Sequence, residues 1–149
     1  MIGLSLSEMN EWLLANEFVP GNLNQIGGNG DTALMKATQA GEINIVRSLI
    51  EAGANLNIRN NDGNNALWFA CFRDRIDIIN LLVEAKINID NQNDNGATAL
   101  MYTASAGKTK IVNALLAAGA NSQLKNLDDF RAIDFAANLE ILRILKNAA

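Results

Sequence analysis

The sequence predicts an all-α solenoid in which helix-turn-helix units stack and hairpin loops join them. The stretches GDTALMKATQAG (30–41) and GATALMYTASAG (96–107) share seven of twelve positions, and GNNALWFACFRD (63–74) is a degraded copy between them. The opening glycines of the three stretches are 33 residues apart each time. A fixed period in this range is typical of stacked repeats, because a unit of this size cannot bury its apolar faces alone.

An N-terminal capping region is expected in residues 1–26. Ser5 and Glu8 have the spacing of a capping box, which satisfies backbone donors at a helix start. Leu4 and Met9 flank them and can form a hydrophobic staple. We therefore expect the first helix to begin near residue 5.

Each full repeat is predicted to start with a hairpin tip and a short helix. Asp62-Gly63 and Asn95-Gly96 suit tight hairpin turns, because both positions of such dipeptides tolerate positive φ. A helix of about two turns follows, with apolar residues at helical spacing, and it ends at Gly41 or Gly107 in two of the copies. The side chains that can cap its start are Thr32, Asn65 and Thr98.

A second helix is predicted from paired apolar positions that recur in each copy. The pairs are Ile45-Val46 and Leu49-Ile50, Ile78-Ile79 and Leu82-Val83, and Ile111-Val112 and Leu115-Leu116. Gly53 and Gly119 provide the left-handed residue that closes this helix. Lys86 replaces that glycine in the middle repeat, at a cost of about 1 kcal/mol if the turn is kept. The middle repeat is therefore expected to be the weakest.

The T-A-L-M words, the I-V-x-x-L pattern of the second helix and the G-A-N words at 53–55 and 119–121 closely resemble the ankyrin repeat family. The resemblance covers nearly the whole chain and implies a single domain. Its expected parts are full repeats at 27–59, 60–92 and 93–125, between capping repeats at 1–26 and 126–149. The fourth copy begins at Asp129 and is expected to stop midway through its second helix.

The chain departs from the family pattern at the start of each first helix. Alanine stands where the family usually has proline, and the helix start should survive because alanine is a good helix former. The usual histidine is replaced by Met35, Trp68, Met101 and Asp134, which we expect to pack against the neighbouring hairpin instead.

Charge and composition exclude several classes of partner. The net charge is −4 and the isoelectric point is near 4.7, so a nucleic-acid partner is not expected. The longest apolar run, 66–72, is too short to span a bilayer, and acidic Glu8 and Glu11 stand where a secretory signal would be basic. The single cysteine fits a reducing compartment. We expect a soluble, cytoplasmic monomer with no membrane partner.

Signatures of an enzyme are missing from the sequence. It has no phosphate-loop glycine pattern, no histidine to pair with a nucleophile and no metal-spaced ligand cluster. We therefore expect no catalytic residue, no cofactor and no metal. The recurring tip carboxylates Asp62, Asp94 and Asp128 are interpreted as exposed turn formers, with acid-base catalysis as the alternative. Cys71 is expected to be buried packing rather than a reactive thiol.

Aromatic residues distinguish the first helix of the middle repeat. Helical spacing places Phe69, Phe72 and Arg73 opposite the core side, with Trp68 on the boundary. We favour packing between repeats for Trp68, with binding as the alternative. An exposed aromatic residue beside an arginine has the composition of an interaction hot spot, which favours binding for Phe72.

The resemblance implies non-enzymatic recognition of another protein through a concave face made by the first helices and the hairpin tips. Such a protein can act as an inhibitor, an immunity-type protein or an adaptor. The alternative is a small-molecule-binding or catalytic protein with its site in the concave groove. The predicted protein-binding residues are Asp31, Gln39, Asn61, Asp62, Asn64, Trp68, Phe69, Phe72, Arg73, Asp94, Asn95, Tyr102, Ser105, Asp128 and Phe130.

We predict no binding to duplex DNA or single-stranded RNA at physiological salt, because Asp and Glu outnumber Lys and Arg by sixteen to twelve. Fluorescence anisotropy with labelled oligonucleotides measures this directly. Micromolar affinity that falls steeply with added salt would contradict the prediction.

Overall fold

The computed structural model describes residues 5–148, and its regular elements there are all helical. The α-helices are α1 (Leu6–Ala15), α2 (Ala33–Gln39), α3 (Ile43–Glu51), α4 (Ala66–Phe72), α5 (Ile76–Glu84), α6 (Ala99–Ser105), α7 (Thr109–Ala117) and α8 (Leu139–Asn147). Two 3-10 turns lie at Gly28–Gly30 and Ala132–Phe135. The all-α prediction is confirmed.

The chain divides into two compact units. The first unit runs up to Ile87 and contains α1 to α5, and the second begins at Asn88 and contains α6 to α8. Within the first unit α1 packs on α3, α2 packs on α4, and α3 packs on α5. Within the second, α6 packs on α7 and on the 3-10 turn, and α7 packs on α8.

The start of α1 is capped by the predicted serine. The hydroxyl of Ser5 accepts a hydrogen bond from the Glu8 N–H at 3.2 Å and donates to the Glu8 carboxylate at 3.0 Å. Met9 and Leu13 are the buried residues of this helix. Leu4, the other member of the predicted hydrophobic staple, lies outside the described residues.

The short first helices begin as predicted, each at an alanine behind a polar cap. The hydroxyls of Thr32 and Thr98 accept from the N–H groups of Met35 and Met101 at 3.2 and 3.1 Å. The Asn65 side chain accepts from the Leu67 N–H at 3.1 Å. The two methionines are buried, and their packing against the neighbouring hairpin stays a prediction.

The second helices provide the core. In α3, α5 and α7 the first apolar pair and the leucine that follows it are at most 3% exposed; these residues are Ile45, Val46, Leu49, Ile78, Ile79, Leu82, Ile111, Val112 and Leu115. A spacing of three and four residues points them all to one side of the helix. The predicted apolar pattern is therefore the core pattern.

The C-terminal copy differs from its prediction. Its second helix, α8, is nine residues long like α7, and the shortening falls in the first helix, which is only the 3-10 turn Ala132–Phe135. The reason is a three-residue deletion, since α8 begins three residues earlier than the 33-residue period would place it. Asp134, expected to pack, is exposed, and its carboxylate accepts from the Arg131 N–H at 2.8 Å.

The closing turn of the middle repeat keeps its left-handed residue without glycine. Lys86 has φ 71°, against 90° at Gly53 and 96° at Gly119. Asp74, at the end of α4, is also left-handed with φ 57°, where the other two copies have glycine. Both left-handed positions of the middle repeat therefore carry a Cβ in a backbone region that L-residues avoid.

Replacing Lys86 by glycine should raise the free energy of unfolding by up to about 1 kcal/mol, because the left-handed turn would lose its steric penalty. Urea unfolding followed by circular dichroism measures the change. Lys110→Gly, inside α7, is the matched control and should destabilise the protein. A Lys86→Gly variant no more stable than the parent would show that this turn is unstrained.

Gly96→Ala should destabilise the protein more than Gly119→Ala, although both glycines have positive φ. A Cβ at position 96 would lie 2.9 Å from the Leu127 nitrogen and 3.0 Å from the Asn126 Cα, which are backbone atoms that cannot move aside. A Cβ at position 119 meets nothing within 4 Å. We expect a difference of about 1 to 3 kcal/mol by urea unfolding. Equal losses would show that the tips separate easily.

Candidate functional site

The hairpin tips recur with the period of the repeats, at residues 27–31, 60–64, 93–97 and 126–130. In each tip the first N–H donates to the carbonyl of the fifth residue, at 2.9 Å, and the fourth N–H donates to the first carbonyl. Gly63 and Gly96 have φ 78° and 75°, and neither residue before them is left-handed. These two tips are thus turns closed by a left-handed glycine, and only the glycine of each dipeptide uses positive φ.

One asparagine organises each of the last three tips. The side-chain oxygens of Asn60, Asn93 and Asn126 each accept from the N–H groups two and four residues further on, at 2.9 to 3.1 Å. This role of the three asparagines was not predicted, although an asparagine repeated every 33 residues was a signal for it. In the first tip, Gly27 occupies the position of this asparagine, and Asn29 and Gly30 both have positive φ.

Neighbouring tips are joined through the backbone within each unit. In the first unit the Asn61 N–H donates to the Asn29 carbonyl at 2.9 Å, and in the second the Leu127 N–H donates to the Asn95 carbonyl at 3.1 Å. Within each unit these hydrogen bonds fix the distance between the two neighbouring tips.

The tips expose most of the residues predicted there. Asn61, Asp62, Asp94, Asn95 and Asp128 are all exposed. The tip carboxylates thus stand in water, as expected for turn formers.

Asn64 is the exception among the predicted tip residues. It is only 7% exposed, and its N–H donates to the Asn60 side chain at 3.1 Å. The fifth residue closes the base of the hairpin, so Asn64 supports the tip and offers little surface to a partner. Its role in binding stays a prediction, and only 7% of its surface is exposed to a partner.

Asp31 and Gln39, two further predicted residues, are tied together. The Gln39 Nε2 donates to one carboxylate oxygen of Asp31 at 3.0 Å, and the Asn60 Nδ2 donates to the other at 2.9 Å. Both side chains are half-buried. The base of one tip, the end of α2 and the next tip are thereby linked in one hydrogen-bonded chain.

Trp68, Phe69 and Phe72 on α4 form an aromatic cluster. The rings of Trp68 and Phe72 are stacked, with centroids 5.3 Å apart and planes 13° apart, and Phe69 meets Trp68 edge-on at 5.3 Å. Phe72 is 51% exposed, whereas the other two are half-buried. Residues four apart on a helix lie one above the other, which explains the stacked pair.

An open depression of about 240 Å³ lies over this aromatic cluster. Its lining consists of Gln39 from α2 together with the aromatic cluster and Arg73 from α4. Arg73 is exposed, and its guanidinium has no hydrogen-bond or ion-pair partner among residues 5–148. This depression therefore combines apolar rings, an amide and one unpaired cation.

The equivalent positions of the second unit are more polar. Tyr102 is half-buried with the Lys108 ammonium 5.4 Å from its ring centroid, and the exposed Ser105 donates to the Tyr102 carbonyl at 3.0 Å. At its last tip, Phe130 is 49% exposed and meets Phe135 edge-on at 5.9 Å.

The ionisable pair Arg75 and Asp77 and the thiol of Cys71 have structural roles. The guanidinium of Arg75 lies 2.9 Å from Asp77 and lowers the pKa of that carboxyl, chiefly by hydrogen bonding. Arg75 also donates to the Gly41 carbonyl at 2.9 Å and so joins two successive turns.

Cys71 is fully buried, as predicted. Within residues 5–148 no three His, Cys, Asp or Glu side chains are grouped to hold a metal.

The comparisons with known proteins point to one family. A sequence model described as ankyrin repeats, in three copies, matches residues 4–93, and a second, described as an ankyrin repeat, matches residues 95–127. No curated protein matches the chain. None of the described helices has the length and apolar character needed to cross a membrane. Repeats of this kind are generally protein-protein interaction modules and are typically non-catalytic. The chain belongs to the ankyrin repeat family.

Proposed function

We propose that the protein binds another protein, without catalysis, through its first helices and hairpin tips. The observation that carries this proposal is the aromatic cluster beside the unpaired Arg73 on α4. Tryptophan and arginine are enriched among the residues that dominate binding energy at interfaces, and large aromatic side chains bury much area on contact. A core role does not account for a phenylalanine that is 51% exposed.

The aromatic cluster is ordered before a partner arrives. Phe72 is stacked on Trp68, and Trp68 is in edge contact with Phe69, so few rotamers remain to be lost on binding. Immobilising a flexible side chain at an interface costs about 0.5 to 1.5 kcal/mol. A surface fixed in advance avoids part of this cost, which favours recognition by a rigid face.

Exposed polar tips complement the aromatic cluster. Asn61 and Asp62 in the first unit, and Asp94, Asn95 and Asp128 in the second, stand on backbone that is already hydrogen-bonded. Interfaces commonly surround an apolar centre with a polar rim. Asn61 and Asp62, which belong to the same unit as the aromatic cluster, are suited to the rim.

A small-molecule or catalytic site remains the alternative. The depression over the aromatic cluster measures about 240 Å³ and is open, whereas pockets for small molecules usually enclose roughly 300 to 1,000 Å³. Its one charged lining residue, Arg73, cannot serve as a general base at neutral pH. These features support the protein-binding proposal, and turnover by the isolated chain would overturn it.

We further propose that the protein acts as a cytoplasmic monomer and serves as an inhibitor, an immunity-type protein or an adaptor. Affinity capture from lysate of the source cells, followed by mass spectrometry, identifies the partner. The capture is run in parallel with Phe72→Ala, and partners lost from the variant are those that use the aromatic cluster. Light scattering during size exclusion measures the mass of the free chain.

Phe72→Ala and Arg73→Ala should each weaken binding of the captured partner by about 1 to 3 kcal/mol, because central aromatic and arginine side chains dominate interface energy. Isothermal titration calorimetry gives the affinity. The free energy of unfolding should change by less than about 0.5 kcal/mol in Arg73→Ala, whose side chain faces solvent. In Phe72→Ala it should fall by no more than about 1.5 kcal/mol, because the stacking on Trp68 is lost.

Two control variants are measured in the same way. Leu14→Ala removes an apolar side chain that is 63% exposed on α1 and should leave the affinity unchanged. Leu67→Ala truncates a buried core residue and should cost about 2 to 5 kcal/mol of stability. If Phe72→Ala unfolds the protein while affinity per folded molecule is unchanged, Phe72 packs between repeats and the surface lies elsewhere.

A further inference from the structure

We infer that the depression over the aromatic cluster accepts an extended peptide segment in which a carboxylate side chain lies next to an aliphatic or aromatic one. The inference rests on the proposed function and names the chemistry of the partner. Arg73, the aromatic cluster and Gln39 each specify one part of that chemistry.

Arg73 specifies the carboxylate. It is the one charged residue among the five that line the depression, and its guanidinium has no partner within residues 5–148. The nearby carboxylate of Asp31 is occupied on both oxygens by the amides of Gln39 and Asn60. A guanidinium presents a planar fork of donors that matches a carboxylate with two parallel hydrogen bonds. One unpaired cation also matches the single charge of one carboxylate.

The aromatic cluster specifies the apolar neighbour. Phe72, which is 51% exposed, and Trp68 line the same depression as Arg73. An apolar side chain placed there would exclude water from the guanidinium and carboxylate. Lower local polarity strengthens that ion pair, so the two contacts reinforce each other.

Gln39 specifies an extended backbone. Its Nε2 must be the atom that faces the Asp31 carboxylate, because a carboxylate oxygen can only accept. The orientation of the amide is therefore fixed by its neighbour, and the Gln39 Oε1 has no partner among the described residues. That oxygen can accept a hydrogen bond from a backbone N–H, which an extended peptide offers and a folded helix does not.

A displayed library of random linear peptides, selected against the full chain, tests the inference. We expect the enriched peptides to place Asp or Glu next to an aliphatic or aromatic residue. An enriched peptide is then synthesised, and its affinity is measured by fluorescence anisotropy. Arg73→Glu should weaken it at least tenfold, and Asp→Asn or Glu→Gln in the peptide should weaken binding to the unaltered protein similarly.

Arg143→Glu is the matched control for charge. It makes the same change at an exposed residue of α8 and should leave peptide affinity unchanged. In the Arg73→Glu variant, neutralising the acidic residue of the peptide should no longer reduce affinity. This loss of coupling is the sign of a direct contact, and a merely structural role for Arg73 would not produce it.

Three results would overturn the inference, and they separate it from the proposed function. Enrichment of basic peptides, or of none, contradicts the stated chemistry and leaves protein binding to be decided by the capture experiment. If Phe72→Ala weakens peptide binding but Arg73→Glu does not, the depression is a binding surface but Arg73 does not pair with a carboxylate of the peptide. The exposed tip Leu127–Phe130 offers similar chemistry on a second copy, so self-association abolished by Arg73→Glu would place that copy in the depression instead.

Discussion

The hydrogen bonds at the hairpin tips are the constraint on which the arrangement of helices within each unit depends. Asn60 and Asn126 each use one side-chain oxygen to satisfy two backbone N–H groups, and the tip beside each is joined to it by a further backbone bond. Each such hydrogen bond contributes about 0.5 to 1.5 kcal/mol, so together they give each tip one strongly preferred shape. The cap residue and the first helix come directly after the tip in the chain. The shape of the tip therefore determines the position of the core residues on that helix.

The middle repeat combines two left-handed residues that are not glycine with the most distinctive surface. Asp74 and Lys86 occupy left-handed positions in which the other full copies have glycine, and the same repeat carries the aromatic cluster. Proteins commonly depart from local rules where a surface is used for function and compensate elsewhere. The core of the middle repeat keeps the pattern of its neighbours, with Ile78, Ile79 and Leu82 almost completely buried on α5.

The sequence was sufficient where a feature depends on local spacing. The helix caps at Thr32 and Thr98, the buried pairs of the second helices and the left-handed Lys86 all follow from residue type and period. It was insufficient where a feature depends on distant atoms or on a change of register. The burial of Asn64 arises from closure of its own hairpin, and the hydrogen bonds to Asp31 come from residues on two other elements. The short 3-10 turn at Ala132–Phe135 results from a three-residue deletion between the start of this turn and the start of α8. A period fixed by the full repeats does not predict how such a deletion changes the helix.

The contrast between crowded and open glycines determines where the length of this chain can change. Gly30 and Gly96 lie against the backbone of the neighbouring tip, whereas nothing lies within 4 Å of a Cβ built on Gly53 or Gly119. Added residues at the tips would break bonds between neighbours, but at the turns after α3 and α7 they would extend into solvent. Insertions, fusion joints and new chain termini are therefore best accommodated at those two turns, and the spacing of the tips is preserved.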